Sequence, residues 1–523
     1  MSGSDPARVA SGAPQRPIGF VNRVLVLGGG SAGHLAAISL KTKLPQLDVL
    51  LVKSSALGII GVGEGTTVSV PNYLHGYLNI DAADFVRRAQ VTYKLGIKFL
   101  WGPRPYFTYT FGPQFNTKYA ALSKPTGYYC ADDDDSVKWS SLNAALMSTD
   151  KAFERRPNGA PGIRNDVAYH IENAHFVAFL EQHAATLGVR TIDQTIERVE
   201  QDEHGVTALL CSSGERLTAD LYVDASGFFS LLLGRTLGEP FNSFKSSLYC
   251  DRAVVGGWDR DPASDVIKPY TTAETMQSGW CWRIDHETRV NRGYVYSSAF
   301  ISDEEAEREY RALSPNVGPT RVVKFISGRY ARGWVKNVVG IGNAFGFVEP
   351  LESTSLAIIC DQCGCLSDSL IDCGRQPGPG MALAYNRRQA EQWEDIRDFL
   401  AVHYRFNTRL DTEFWRACRS DVEIGNAAPL IEYYQDNGPS TVWRDTLIGG
   451  RDAFGFEGYL AMLVGMKLPY RLRYEPPPEE RAKWQAMLQA HRQTAEKALT
   501  MQQTLEVIRS ANWKSSTGFY RYQ

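Results

Sequence analysis

The sequence predicts an α/β protein: a Rossmann-type βαβ body that carries an antiparallel sheet insertion and ends in a mostly helical lobe. Three observations predict it. Residues 23–52 read strand, glycine turn, helix, strand; residues 245–335 alternate aromatic and β-branched runs with Gly, Asp and Asn; from Met381 onward apolar residues recur at helical spacing.

Taken in order, residues 1–20 (MSGSDPARVASGAPQRPIGF) are small, polar and Pro-containing, and predict a disordered arm. The body follows over 21–380, with the sheet insertion at 245–335, and the lobe over 381–523. Arg23-Val24-Leu25-Val26-Leu27 has the unbroken apolar character of a strand buried on both faces. HLAAISLKTKL supplies a helix and Asp48–Val52 a second strand. Glu172–Ala185 reads as helix, Val189–Gln201 and Thr207–Cys211 as strands, and Leu221–Asp224 as another buried strand end. RAVVGGW, GWCWRID and GYVYSSAF are strands of the insertion, and the breaker Glu475-Pro476-Pro477-Pro478 divides the final helices.

Composition narrows the function. The 523 residues carry 56 basic and 58 acidic side chains, a net charge of −2, which gives no broad field for a phosphate backbone or an anionic membrane. No apolar run approaches the roughly 18 residues of a membrane span, and no secretory signal opens the chain. A soluble cytoplasmic protein is expected, binding neither nucleic acid nor membrane. Nine Cys, odd and sparse, argue for reduced thiols. The 25 Tyr, 23 Phe and 11 Trp fit either an aromatic-lined pocket or a large core.

Gly28-Gly29-Gly30-Ser31-Ala32-Gly33 matches G-x-G-x-x-G between a strand and a helix. Gly28 permits the tight turn, Gly30 close approach to a pyrophosphate and Gly33 close helix packing, while Ser31 and Ala32 open a helix whose free N–H groups favour phosphate. The acidic residue usual at the end of the second strand is replaced by Lys53, so the ribose is held differently or Lys53 contacts a phosphate. Asp224, before Ala225-Ser226-Gly227, and Gly342-Asn343 lie at two further strand ends predicted to border the cofactor. One fingerprint implies one dinucleotide site. If it holds FAD, reducing equivalents arrive from outside.

Four segments, GGGSAG (28–33), GVGEGT (61–66), IKFLW around Lys98 and GNAFGFVEPLESTS (342–355), together resemble the flavin-dependent halogenases, in particular the tryptophan halogenase branch, over about residues 22–420. The resemblance implies a flavin monooxygenase-like FAD body and a helical substrate lobe. It implies FAD used as FADH2, O2, chloride or bromide, and a separate NAD(P)H-dependent flavin reductase. Hypohalous acid would be guided to a lysine and halogenate an electron-rich aromatic, most simply the indole of tryptophan, free or within a peptide. The setting would be secondary metabolism such as antibiotic biosynthesis. The oligomeric state stays open, a homodimer included.

The resemblance also implies roles for residues. Lys98, a lone charge in an apolar run, is matched to the catalytic lysine, with Lys94 as its competitor. Glu352 is matched to the partner carboxylate, with Glu349 as alternative; Ser353, Thr354 and Ser355 follow as the halide site, Ser355 standing where the family has Gly. Trp280 and Trp282 would shield the flavin, although Asp285 replaces the Pro of the family's signature; Gly63 and Glu64 belong to a strap near the cofactor. Tyr106, Phe107, Tyr109 and Phe111, with Tyr434 and Phe454 from the lobe, are candidates for holding the ring, and Tyr433, Trp443 and Phe456 are further possible walls.

Weaker signals carry bland readings. Cys360, Cys363, Cys365 and Cys373 read as helix thiols and not as a metal site, Asp132–Asp135 as a solvated loop, and His170 as a fold-supporting histidine. The competing functions are a flavin-dependent aromatic hydroxylase and an inactive flavin-binding scaffold.

Overall fold

The computed structural model describes residues 19–57, 63–112, 127–128, 134–440, 444–449, 453–510 and 513, without the side chains of 134–136, 444 and 445. Residues 1–18 of the expected arm, Gly61 and Val62 of the strap, Asp132 and Asp133, and Trp443 lie outside them.

Valine- and leucine-rich runs form the first sheet. Its strands are, in order, Trp334–Val335, Val338–Gly340, Leu221–Asp224, Arg23–Leu27, Asp48–Lys53 and Arg190–Asp193, and all but the edge strand Trp334–Val335 run parallel. Val24, Leu25, Val26, Leu51, Val52 and Val223 have no exposed surface, as a strand covered on both faces requires. The helix Ser31–Lys43 covers one face and packs on the helix Ser355–Asp372, where Ser39 Oγ lies 2.8 Å from Ser367 Oγ. Cys360 and Cys363 are buried on that second helix, and burial pushes the Cys360 thiol well up.

The insertion is a seven-stranded sheet, but it is not built from 245–335 alone. Its order is Arg321–Lys324, Arg252–Asp259, Arg289–Tyr296, Gly279–Asp285, Thr271–Met276, Gly96–Leu100 and Phe107–Thr110. The last two strands come from the early body, and Gly96–Leu100 pairs parallel with Thr271–Met276. A third sheet, Glu64–Gly65, Ala168–Ile171 and Thr92–Lys94, is small and antiparallel.

The helices after residue 380 share their cores with the body. Phe399, Trp415 and Leu460 join the cluster that holds Phe99 and Trp280, while Ala495, Met501 and Leu505 join the one that holds Val24 and Leu51. Helix Pro379–Arg405 is the element that reaches the site. No helix among the described residues is long and apolar enough to cross a membrane.

Candidate active site

Two adjacent lysines part company at Leu95. Lys94 ends the strand Thr92–Lys94 opposite Ala168, whereas Lys98 lies in the larger sheet opposite Thr272 and Thr108. The Leu95 N–H donates to Pro269 O at 2.7 Å, handing the chain from one sheet to the other. Gly96 makes that step possible: a Cβ there would lie 2.3 Å from Tyr109 O. Lys94 and Lys98 therefore lie in different sheets.

The Lys94 ammonium is fully buried and donates to Ser353 Oγ at 2.7 Å and Thr66 O at 3.0 Å. Burial pushes its pKa down to about 7 against the opposing pull of Glu352. Lys98, by contrast, is only partly buried and sits 3.9 Å over the ring of Tyr106, with Asp150, Lys268 and Lys138 as its charged neighbours. The expectation that Lys98 meets the Glu352 loop is corrected: the amine at that loop is Lys94.

Glu352 is 3% exposed, and its Oε1 lies 2.7 Å from His403 Nε2. His403 sits near the end of helix Pro379–Arg405, and its Nδ1 faces Phe399 O at 2.8 Å. Its neighbour Tyr404 donates its hydroxyl to Glu349 Oε1. Two consecutive helix residues thus hold the two carboxylates of the loop Glu349-Pro350-Leu351-Glu352. Burial pushes the Glu349 carboxyl up to about 7.

Ser353 follows with φ +59, a left-handed backbone that side-chain-bearing residues rarely adopt. Helix Ser355–Asp372 starts just beyond, with no side-chain cap and no acidic residue in its first turn, so its amides are free for an anion. Thr354 and Ser355 line a small, partly open pocket together with Gly342, Asn343, Phe347 and Trp393. Two of the three expected halide residues, Thr354 and Ser355, therefore share one space with the glycine turn expected at the cofactor.

The glycine-rich turn has the shape a dinucleotide needs. Gly28 has φ +136 and a Cβ there would lie 2.1 Å from Ala225 O; one on Gly33 would lie 1.9 Å from Gly28 O. A Cβ on Gly30 would meet nothing within 4 Å, so this side is open for a pyrophosphate to reach the backbone. Gly342, at φ +62, donates its N–H to Gln362 and brings this turn against Ala32. These features fit FAD.

Several expected cofactor ligands are otherwise engaged. Asp224 accepts from Ser226 Oγ and from the amides of Ser226, Leu232 and Leu233, so it organises its own loop. Lys53 forms a 2.5 Å ion pair with Glu181, and Ser31 Oγ donates to Asn173 at 3.0 Å. Glu64 pairs in its strand with Ile171, and burial raises its carboxyl to about 7; Gly63, at φ +71, is enclosed by His286 and Asn291. His170 bonds Thr271 Oγ1 at 3.0 Å and electrostatically faces Lys94, nearer the site than a purely structural reading implies.

The candidate aromatic residues divide between the surroundings of Lys94 and His403 and the packed core. Phe454 stacks on Phe399 at 3.9 Å, with Tyr109 and Tyr459 against the same ring, and Phe399 in turn meets His403 edge-on. Phe111 faces the Lys94 ammonium at 5.2 Å. Phe107, stacked on Phe99, and Tyr434, against Tyr470, are buried packing residues, and Tyr106 belongs with Lys98. Trp280 and Trp282 lie on one strand face, 6.1 Å apart, both nearly buried, with Trp282 against Gly293.

Comparison with known sequences decides the family. The family model described as "Tryptophan halogenase" matches residues 23–476, most of the chain. The chain belongs to the tryptophan halogenase family. Tryptophan 7-halogenase RebH of Lentzea aerocolonigenes is 32% identical over 427 residues, 76% of this chain and 79% of the relative. Tryptophan 6-halogenase ThaL of Streptomyces albogriseolus is 32% identical over 441 residues, 79% and 82% of the two chains. Among solved structures, MibH, a lanthipeptide tryptophan 5-halogenase, superposes with a TM-score of 0.86 at 37% identity, covering 97% of this chain and 95% of its own. BrvH, a flavin-dependent halogenase from Brevundimonas sp. BAL3, gives 0.82 at 28% identity, covering 93% and 99%. This tryptophan halogenase is thus a flavin-dependent enzyme, and its α/β fold is the one predicted.

His403 and Phe399 escaped the sequence reading. The only local signal for either is a histidine inside the apolar helical run Phe399-Leu400-Ala401-Val402-His403. That pattern commonly marks a satisfied core residue.

Proposed function

We propose that this halogenase places chloride or bromide on the indole of a tryptophan carried in a peptide, with Lys94 in place of Lys98 as the guiding amine and Glu352 as the base. The observation that carries the chemistry is the 2.7 Å bond from Lys94 to Ser353, beside Glu352. Bound reduced FAD, with O2 and halide, supplies hypohalous acid. The residues do the rest. Free amides at Ser355, with Ser353 and Thr354, hold the halide at a helix N-terminus. Lys94, poised near pH 7, aims the electrophile. The ring carbon attacks the halogen and the C–X bond forms. The O–X bond breaks with its electron pair going to oxygen, Lys94 protonates that oxygen so that water leaves, and Glu352 takes the ring proton.

Two finer points belong to this reading. The peptide-borne substrate is favoured because the lanthipeptide enzyme's structure matches at 37% identity over 97% of this chain, against 26% over 93% for the structure of the tryptophan 6-halogenase SttH. A separate NAD(P)H-dependent reductase supplies FADH2 in the cytoplasm, since the sequence holds one dinucleotide fingerprint, at 28–33. Mass spectrometry after incubation with FAD, a flavin reductase, NADPH, O2 and bromide tests the function. A halogen-mass gain on Trp-containing peptides exceeding that on free tryptophan is expected. Oxygen gain in place of halogen overturns halogenation; equal or better use of the free amino acid overturns the peptide reading.

A further inference from the structure

The proton count at Glu352 is fixed by its neighbour. His403 Nδ1 lies 2.8 Å from the carbonyl oxygen of Phe399, which can only accept, so Nδ1 carries a hydrogen. His403 Nε2 then lies 2.7 Å from Glu352 Oε1 with one proton between them. Whether that proton sits on the ring or on the carboxyl, the pair is electrically neutral. Both side chains are buried, and the ring is clamped by Phe99 at 5.4 Å and Phe399 at 4.8 Å, so it cannot turn away.

We propose that His403 is a positioning residue that makes Glu352 half of a proton-sharing pair, aiming Oε2 at the substrate and holding the net charge of the site constant through the reaction. The inference rests on the reading of Lys94 and Glu352 given above. Before the step Lys94 carries one positive charge and the pair none. As Lys94 gives a proton to the departing oxygen and Oε2 receives the ring proton, the pair becomes imidazolium with carboxylic acid. The single positive charge has moved from Lys94 to the pair and none has been created, which matters in a site shut off from water. The charged or titratable groups around the pair are Lys94 from the small sheet, itself faced by His170, and Glu349 with Tyr404 from the loop and the helix. Glu349, held by Tyr404, keeps the other end of the loop in place and shares no proton with His403 in the hydrogen bonds above.

The test compares wild type with His403→Gln and Glu352→Asp, reading the pH profile of kcat for bromination alongside thermal melting. His403→Gln leaves the carboxylate with a net negative charge beside Lys94, so the alkaline limb, where Lys94 loses its proton, shifts to higher pH. kcat falls on the order of tenfold or more, the usual cost of losing an orienting partner. Glu352→Asp, one methylene short of the ring, shifts that limb in the same direction without touching the helix. A wild-type profile in a folded His403→Gln overturns the proposal, as does an unshifted limb in Glu352→Asp should His403→Gln fail to fold. Full activity in Lys94→Ala sinks the underlying reading instead, so the two failures are distinguishable.

Discussion

Lys94 and Ser353, 259 residues apart in the chain, are joined by a 2.7 Å hydrogen bond that fixes which of two lysines faces the catalytic loop. The amine is buried, its serine partner sits on a left-handed backbone, and Glu352 precedes that serine directly. From this arrangement and its surroundings four outcomes follow.

Replacing Lys94 with Met, similar in length and uncharged, lowers kcat by about a hundredfold or more while FAD binding persists, as loss of a positioned acid does. Lys98→Met changes kcat by less than about threefold, since Lys98 lies in the other sheet and stands over Tyr106. Steady-state bromination measured side by side checks both; the reverse ranking would restore Lys98.

Stability moves oppositely with pH at two buried groups. Lys94 has its pKa depressed to about 7, so between there and 10.5 the unfolded chain binds the extra proton, and stability rises with pH. Glu349 is raised from 4.5 to about 7, so the folded chain holds the extra proton across that window, and stability falls as pH rises through it. Melting curves of Lys94→Met should lack the alkaline rise, and those of Glu349→Gln should lose part of the fall between pH 4.5 and 7. Unchanged curves would mean that water reaches these groups.

Two glycines of the same turn should fail differently. Gly33→Ala forces a Cβ to within 1.9 Å of Gly28 O and should destabilise the fold along with FAD binding. Gly30 has φ −87 and no atom within 4 Å of its absent Cβ, so Gly30→Ala should melt like wild type yet bind FAD at least about tenfold more weakly. Thermal melts paired with flavin fluorescence titration separate the cases.

Phe454, stacked on Phe399 beside the His403 ring, is expected to touch the substrate ring, so Phe454→Ala should raise KM for the tryptophan substrate by about tenfold. Phe107→Ala should act on stability first, because that ring packs on Phe99 and against Gly465. A KM effect confined to Phe107 would reverse the division of pocket and core.

What the sequence made legible was local. The βαβ unit and its glycine turn depend on spacings within some thirty residues, and the structure reproduces them nearly residue for residue. The loop at 352–355 was legible because its residues are contiguous. That Lys94, the named competitor of Lys98, meets the 352–355 loop was not legible, because Gly96 moves the chain between two sheets, a tertiary event without a periodic trace. His403 stayed hidden because its partner lies 51 residues earlier and its own surroundings are those of an ordinary buried helix. Asp224, read as a cofactor contact, shows the converse: a carboxylate at a strand end can be consumed by the amides of its own turn.

Ser353 constrains how the enzyme can be diversified. Its backbone at φ +59 suits Gly, Asn or Asp, while its hydroxyl is what Lys94 holds. Glycine would relax the main chain and release the amine; Val or Ile would do neither job, and Thr would keep the hydroxyl only on a strained backbone. A saturation library at 353 should therefore yield few active clones, whereas Ser355, first in the helix and beside the shared cavity, is free of that double demand. Engineering aimed at a different halide has its room for manoeuvre at 355.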